Sequence, residues 1–382
     1  MKELLKKPLL RILYLLGMLC RNLFKKQFQK EKVKQILVFQ LGGIGDVLRI
    51  FPAIIAIRNN FPQAAISILT EFGDELLELF PYAHAISKKY CYEPRGKHKS
   101  ILNKFRFFRS LNRMNFDLIY NPNRGNVIIE ASIMAFIIGA PHRLGFEKNG
   151  AGFLNTMRIK FKYDRYILEQ NLDLLRKIDV QIEDQDIHIQ IPERDKIFLD
   201  TFLQKYAITK EKFFITVHPG AKHDGQYRMW PLEKYSKLIQ EIVSHYKATV
   251  ILIGSKTETA IASEISSKVQ SHHLINTVGQ TTIPQMTALI SNSKLFIGND
   301  SGPLHISIAL KIPSIGIFGL SLPEQVIPIH QDHVIAIRAR VKPTYIHQPF
   351  LKFSQRDLHT LDQISVQEVF EAVNKILNIM KR

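Results

Sequence analysis

Short apolar runs rich in β-branched residues alternate with stretches of helical periodicity along most of the chain. ILVFQ at 36–40 leads into a Gly-rich turn, LGGIGD at 41–46, then into VLRIFPAIIAIRNNF at 47–61, whose spacing predicts a helix, and then into AAISILT at 64–70. That order reads as a βαβ unit on a parallel sheet. Further strands are predicted at DLIYNP (117–122) and HIQIP (188–192). The second half repeats the scheme: FFITVHPG (213–220), a helix from Pro231 to about His245, ATVILIGS (248–255), a helix near 257–269, HLINTVG (273–279), a helix from Ile283 to Ser291, KLFIGND (294–300), a helix from Pro303 to Leu310, and SIGIFG (314–319). The fold class is therefore α/β, expected as two Rossmann-like domains facing across a cleft and linked near 185–212. The expected boundaries are 1–34, 35–190, 191–355 and a closing helix in 356–382 that packs back on the N-terminal domain. No short-period repeat supports a solenoid.

Composition agrees with two cores: 382 residues, 46% of them apolar, exceed what one core usually serves. Cys20 and Cys91 lie far apart without metal-ligand spacing, which argues against a disulfide framework or zinc site and fits a reducing compartment. The net charge of +18 is concentrated. Residues 1–34 hold ten Lys/Arg against two Glu, and residues 88–113 hold nine against one, so each segment carries +8. Such clustering points to a polyanionic partner: nucleic acid, an anionic bilayer or a phosphorylated glycolipid all satisfy it. PLLRILYLLGMLC at 8–20 falls short of the ~20 residues a spanning helix needs. Lys7, Arg11, Arg21 and Lys25 gather on one side of a helical wheel, which predicts an amphipathic helix in a headgroup layer. A cleaved signal peptide and a helix packed on the protein body are the rival readings, the first opposed by the lack of a small-x-small site.

Three segments carry candidate chemistry. In LGGIGD, the pattern G-x-G-x-x-G read from Gly43 fails at Leu48, and Asp46 stands where a pyrophosphate would need room. A carboxylate there suits accepting a proton from a hydroxyl, and it equally suits a plain helix cap. IGNDSGPLH at 297–305 ends a strand and opens a helix, so its N–H groups suit a diphosphate while Asp300 and Ser301 suit sugar hydroxyls. The bland alternative makes Asp300 a cap and His305 a surface residue. In HPGAKHDGQYRMWP at 218–231, Gly220 and Ala221 allow close approach, and Lys222 and Arg228 can neutralise phosphate. Alone, that segment reads as a solvated basic loop anchored by Trp230. Asp184-Gln185-Asp186 reads as a polar turn rather than a metal-binding D-x-D.

Taken together, LGGIGDVLRIFPAIIAIRNNFP, VHPGAK…RMWPLEKY and IGNDSGPLHISIALKIPSIGIFG, in that order over roughly 36–375, resemble the ADP-heptose:lipopolysaccharide heptosyltransferases, glycosyltransferase family 9. The resemblance implies the GT-B architecture, with 35–190 binding acceptor and 191–355 binding donor. It also implies inverting transfer of heptose or a related sugar from an ADP-sugar to a lipopolysaccharide core, with Asp46 as the base. It places Gly220, Ala221 and Arg228 at the donor phosphates, next to Lys222 of the same donor-binding loop, Glu258 at the donor ribose, and Asp300, Ser301, Gly302 and His305 in the D-T/S-G-x-x-H donor signature. Gly43, Gly45, Arg49, Arg106 and Arg109 fall on the acceptor side. No metal or cofactor is implied beyond the ADP-sugar co-substrate. The implied partners are that nucleotide sugar, an acidic glycolipid and an anionic membrane surface, but no nucleic acid, and the implied location is the cytoplasmic face of the inner membrane, held peripherally. Arg228 stands where the family usually has Lys, and Arg49-Ile50 where many members have His-Thr.

Two other function classes remain. A nucleotide-sugar 2-epimerase on the same scaffold would need no basic segment. A non-enzymatic binder of nucleic acid or anionic lipid explains the charge but not IGNDSGPLH.

Overall fold

The computed structural model describes residues 27–148, 151–209, 213–221, 226–328, 332–341, 357 and 359–379. The amphipathic helix expected in 1–34 lies outside these up to residue 26, and so does Lys222. The first half runs β1 (Gln35–Phe39), α1 (Ile44–Leu48), α2 (Phe51–Asn60), β2 (Ala65–Thr70), α3 (Asp74–Leu77), β3 (Ile86–Cys91), α4 (Ile101–Leu111), β4 (Leu118–Asn121), α5 (Ile128–Ile138), β5 (His142–Glu147), β6 (Met157–Lys160) and α6 (Ile167–Arg176). The second runs α7 (Glu193–Lys205), β7 (Phe214–His218), α8 (Leu232–Tyr246), β8 (Thr249–Leu252), α9 (Thr259–Val269), β9 (Leu274–Asn276), α10 (Ile283–Asn292), β10 (Leu295–Asn299), α11 (Gly302–Ala309), β11 (Ser314–Phe318), α12 (Pro323–Val326), β12 (Val334–Arg338) and α13 (Val366–Ile379).

The chain divides into two compact units. Of the described residues, the first unit holds 27–74 and 82–187, and the second holds 75–81 with those from 188 onward. Each unit contains one six-stranded sheet, ordered β3-β2-β1-β4-β5-β6 in the first and β12-β11-β10-β7-β8-β9 in the second. Every strand pairing in both is parallel. Renumbered within its unit, the second sheet has the same order as the first, 3-2-1-4-5-6 read from its opposite edge. In such doubly wound sheets the order reverses between the first and fourth strands, and ligands bind beyond the strand ends at that switch point.

Buried side chains alternate along the central strands as the pleat requires. Leu37 and Phe39 of β1 join Phe108 and Leu111 of α4 and Ala131 and Met134 of α5 in one core. Tyr120 of β4 turns the other way and donates its hydroxyl to the Asn171 carbonyl of α6 at 2.9 Å. In the second unit, Ile215, Val217, Leu295, Ile297, Ile315 and Ile317 meet Tyr235, Leu238 and Ile242 of α8.

Three expectations need correction. The helix foreseen over 47–61 is broken between α1 and α2, because Pro52 has no N–H to offer the Leu48 carbonyl. HIQIP is not a strand: the Gln190 N–H bonds Leu79 O at 2.9 Å and its side-chain amide bonds Glu78 O at 3.2 Å, so its polar groups are spent on a loop. The closing helix packs in the second unit, where Val369, Val373, Ile376 and Leu377 of α13 complete the core beneath α8.

Candidate active site

The first switch point gathers the loops that leave β1 and β4. Beyond β1, the backbone turns at Gly42 (φ +116°), where a side chain would also collide with the Asp46 carboxylate. Asp46 sits in the first turn of α1 and accepts the Gly43 N–H at 2.9 Å. Its role as a cap is thus the reverse of that foreseen: Gly43 is the N-cap and Asp46 reaches back to it. The other carboxylate oxygen receives Arg49 at 2.9 Å and Arg124 at 2.5 Å. Both guanidinium side chains are 5% exposed, against 24% for Asp46. Burial pushes the Arg124 pKa down, and the neighbouring Asp46 carboxylate counters it. Asn123 fixes the loop: its amide donates to Phe39 O at 2.7 Å and its carbonyl accepts from Leu41 N at 2.7 Å. Gly45 is buried in α1.

The second switch point gathers the ends of β7 and β10. Asn299, fully buried, donates to Pro219 O at 2.9 Å and Gly220 O at 3.0 Å, and accepts from Trp230 N at 3.1 Å and the Tyr235 hydroxyl at 3.0 Å. All its side-chain hydrogen-bonding positions are engaged. His218 bridges two segments, with Nδ1 3.0 Å from Ser301 Oγ and Nε2 3.2 Å from Glu258 Oε1. The other Glu258 oxygen accepts from Ser255 N and Ser255 Oγ, each at 2.7 Å. Burial raises the Glu258 pKa, but the hydrogen bonds and charge of His218, with the Ser255 bonds, outweigh it and hold the group at about 2. The carboxylate lies against Gly220, where any Cβ would overlap it, and Ala221 is buried beside it.

Ser301 is the N-cap of α11 but makes no side-chain cap bond, since its hydroxyl meets His218. Gly302 opens the helix with Pro303 next, so the first turn presents N–H groups outward from a positive helix end. Asp300 is buried, 3.6 Å from Arg228 Nη1 and 3.7 Å from His305 Nε2. Arg228 also lies 5.3 Å over the Tyr227 ring. Gly220, Ala221, Arg228, Glu258, Asp300, Ser301, Gly302 and His305 therefore converge, and His305 is buried rather than a surface residue.

Arg106 and Arg109 do not join the Asp46 cluster. They stand on α4 around a cavity of about 300 Å³ with Phe105, Ser110, Asn112 and Arg113. Asp184 Oδ1 accepts the Asp186 N–H at 2.8 Å, a local turn. Among the described residues no group of three or more His, Cys, Asp or Glu is placed to hold a metal ion.

Two doubly wound parallel sheets, each with its chemistry at the switch point, define the GT-B pattern of two Rossmann-like domains. The family model for glycosyltransferase family 9 (heptosyltransferase) matches residues 104–347. Lipopolysaccharide heptosyltransferase 2 of Escherichia coli is 24% identical over 361 residues, 90% of this chain and 98% of the relative. Lipooligosaccharide heptosyltransferase 2 of Haemophilus ducreyi is 26% identical over 317 residues, 79% and 88% respectively. The solved structure of the E. coli ADP-heptose lipopolysaccharide heptosyltransferase II superposes with a TM-score of 0.67 at 21% identity, covering 91% of this chain and all of the other. The chain belongs to glycosyltransferase family 9, the heptosyltransferases, and is a glycosyltransferase.

Arg124, Asn123, His218 and Asn299 are site residues that sequence reasoning does not single out. Asn123-Arg124 does carry a signal: polar residues directly after the predicted strand DLIYNP mark a strand end where a site can form.

Proposed function

We propose that the protein transfers a heptose, or a related sugar, from an ADP-sugar to a lipopolysaccharide-core acceptor with inversion at the anomeric carbon. The observation that carries this reading is the placement of Asp46 at the first switch point, oriented by Arg49, Arg124 and the Gly43 N–H. The acceptor hydroxyl oxygen attacks the anomeric carbon as its proton passes to Asp46, and the bond from that carbon to the diphosphate oxygen breaks to release ADP. Gly43, Gly45 and Arg49 bound the acceptor side of this carboxylate. Similarity to relatives that are themselves named for ADP-heptose and lipopolysaccharide supports the choice of donor and acceptor.

The second unit takes the donor. Gly220 admits the Glu258 carboxylate against the backbone and Ala221 follows it, while Arg228 and the N–H groups opening α11 meet the charge that develops on the leaving diphosphate, with Lys222 proposed as a further cation. Asp300 holds Arg228 and His305 in place. A carboxylate has about four acceptor positions; His218 and the two Ser255 donors fill three on Glu258, which leaves one for a ribose hydroxyl. With cationic groups at the diphosphate, transfer proceeds without a metal, and turnover should be unchanged by EDTA. Release of ADP from ADP-heptose, measured with a deacylated core-oligosaccharide acceptor, tests the assignment. Acceptor-dependent release that collapses in Asp46→Asn supports it; ADP-heptose binding that Asp300→Ala leaves intact removes the donor site.

A further inference from the structure

Among the described residues no helix is long and apolar enough to cross a membrane, yet α4 displays an unusual surface. Its inward side, Phe108 and Leu111, supplies the core. Its outward side carries Ile101, Leu102 and Phe105, which are 86%, 54% and 50% exposed. Nothing in the packing of the unit requires three large apolar residues there, and clustered exposure of this kind marks an interaction surface. Arg109 lies four residues on from Phe105 and eight from Ile101, and Arg106 lies four on from Leu102, so both arginines share that side.

The charges here are also of a particular kind. Elsewhere in the basic segment Lys89 pairs with Asp74, Lys97 with Glu93 and Lys104 with Glu130. The side chains of Arg106, Arg109 and Arg113 are instead exposed and ring the 300 Å³ cavity beside Phe105; among the described residues they have no carboxylate partner. Uncompensated guanidiniums beside exposed aliphatic and aromatic side chains match a lipid interface, where cations meet phosphates and the apolar tips enter the acyl boundary. Ile101 and Leu102 would have no use in gripping a nucleic acid or a soluble phosphorylated glycan. We infer that the outward face of α4 docks the enzyme on an anionic phospholipid bilayer. Arg106 and Arg109 then hold lipid phosphates rather than the sugar that reacts beside Asp46, and the inference stands independently of which sugar is transferred.

Trp230, the single tryptophan, is fully buried, so Phe105→Trp in the full-length protein installs a local probe. Vesicles of phosphatidylcholine with phosphatidylglycerol should shift its emission to the blue and make it quenchable by brominated acyl chains, whereas phosphatidylcholine alone should do neither. Arg106→Gln with Arg109→Gln should lower vesicle partitioning by about 25-fold, about fivefold per arginine. Leu102→Ser with Phe105→Ser should lower it by a similar factor while turnover of a soluble acceptor stays unchanged. Co-sedimentation without any change in the probe at 105 would place the anchor elsewhere and overturn the inference. So would a double-arginine variant that keeps its vesicle partitioning but shows a raised KM for a soluble phosphorylated acceptor.

Discussion

Asn123, just beyond β4, holds Phe39 and Leu41 where the chain leaves β1; Asn299, at the end of β10, holds Pro219 and Gly220 where it leaves β7. Both sheets thus secure the switch point with a buried asparagine reaching across from the fourth strand of the unit. What each loop then receives differs. The first carries a partly exposed carboxylate between two buried guanidiniums. The second carries a glycine pressed on a buried carboxylate, a histidine bridging two segments, and the open first turn of α11. On the proposed function, one scaffold is finished once to take a proton and once to cradle negative charge, and the distinction lies in a few side chains at the strand ends rather than in topology.

Asp46→Asn should lower kcat by about 10²- to 10⁴-fold, the usual worth of a positioned base, in acceptor-dependent ADP release. Asn299→Ala leaves two carbonyls, an N–H and a hydroxyl without their partner in a dry core, and should cost about 3 kcal/mol or more in urea unfolding. Asn123→Ala, with fewer partners, should cost about 2 kcal/mol. Glu258 sharpens the second site through pH. Its folded pKa of about 2 lies below the ordinary 4.5, so its stabilisation is fully present above pH 4.5 and is lost as pH falls toward 2. The contribution is on the order of 2–3 kcal/mol, and unfolding curves of Glu258→Gln across that window should lack this part of the acid-side slope. The smallest effects separate two glycines. Gly220→Ala meets the Glu258 carboxylate and should weaken ADP binding about tenfold, whereas Gly43→Ala, with its nearest neighbour 3.9 Å away, should change it less than about threefold.

Much of this plan is readable from the chain. The central strands are continuous apolar runs because both faces of a parallel sheet are covered, and the three loop segments stand at their ends. The edge strands carry no such signal: ISKKYC of β3 exposes most of its side chains, and MRIK of β6 is short and only half-buried, so neither shows a buried-strand pattern. Asp46 and Asp300 can be picked out from their local turns. Arg124 cannot be tied to Asp46, 78 positions away, without knowing that β4 lies beside β1. His218 does not stand out within HPGAK because its partners, Glu258 and Ser301, come from two other crossovers. Gly42 rather than Gly43 or Gly45 makes the left-handed turn, which a run of glycines does not reveal.

Calorimetric titration of ADP into the wild type, Asp46→Asn and Arg228→Ala, with turnover measured on the same samples, tests the division of labour between the two switch points most directly. The account predicts that Asp46→Asn binds ADP within about twofold of wild type while its turnover collapses, and that Arg228→Ala loses roughly tenfold or more in ADP affinity. Full turnover in Asp46→Asn, or an equal loss of ADP affinity in both variants, would contradict it.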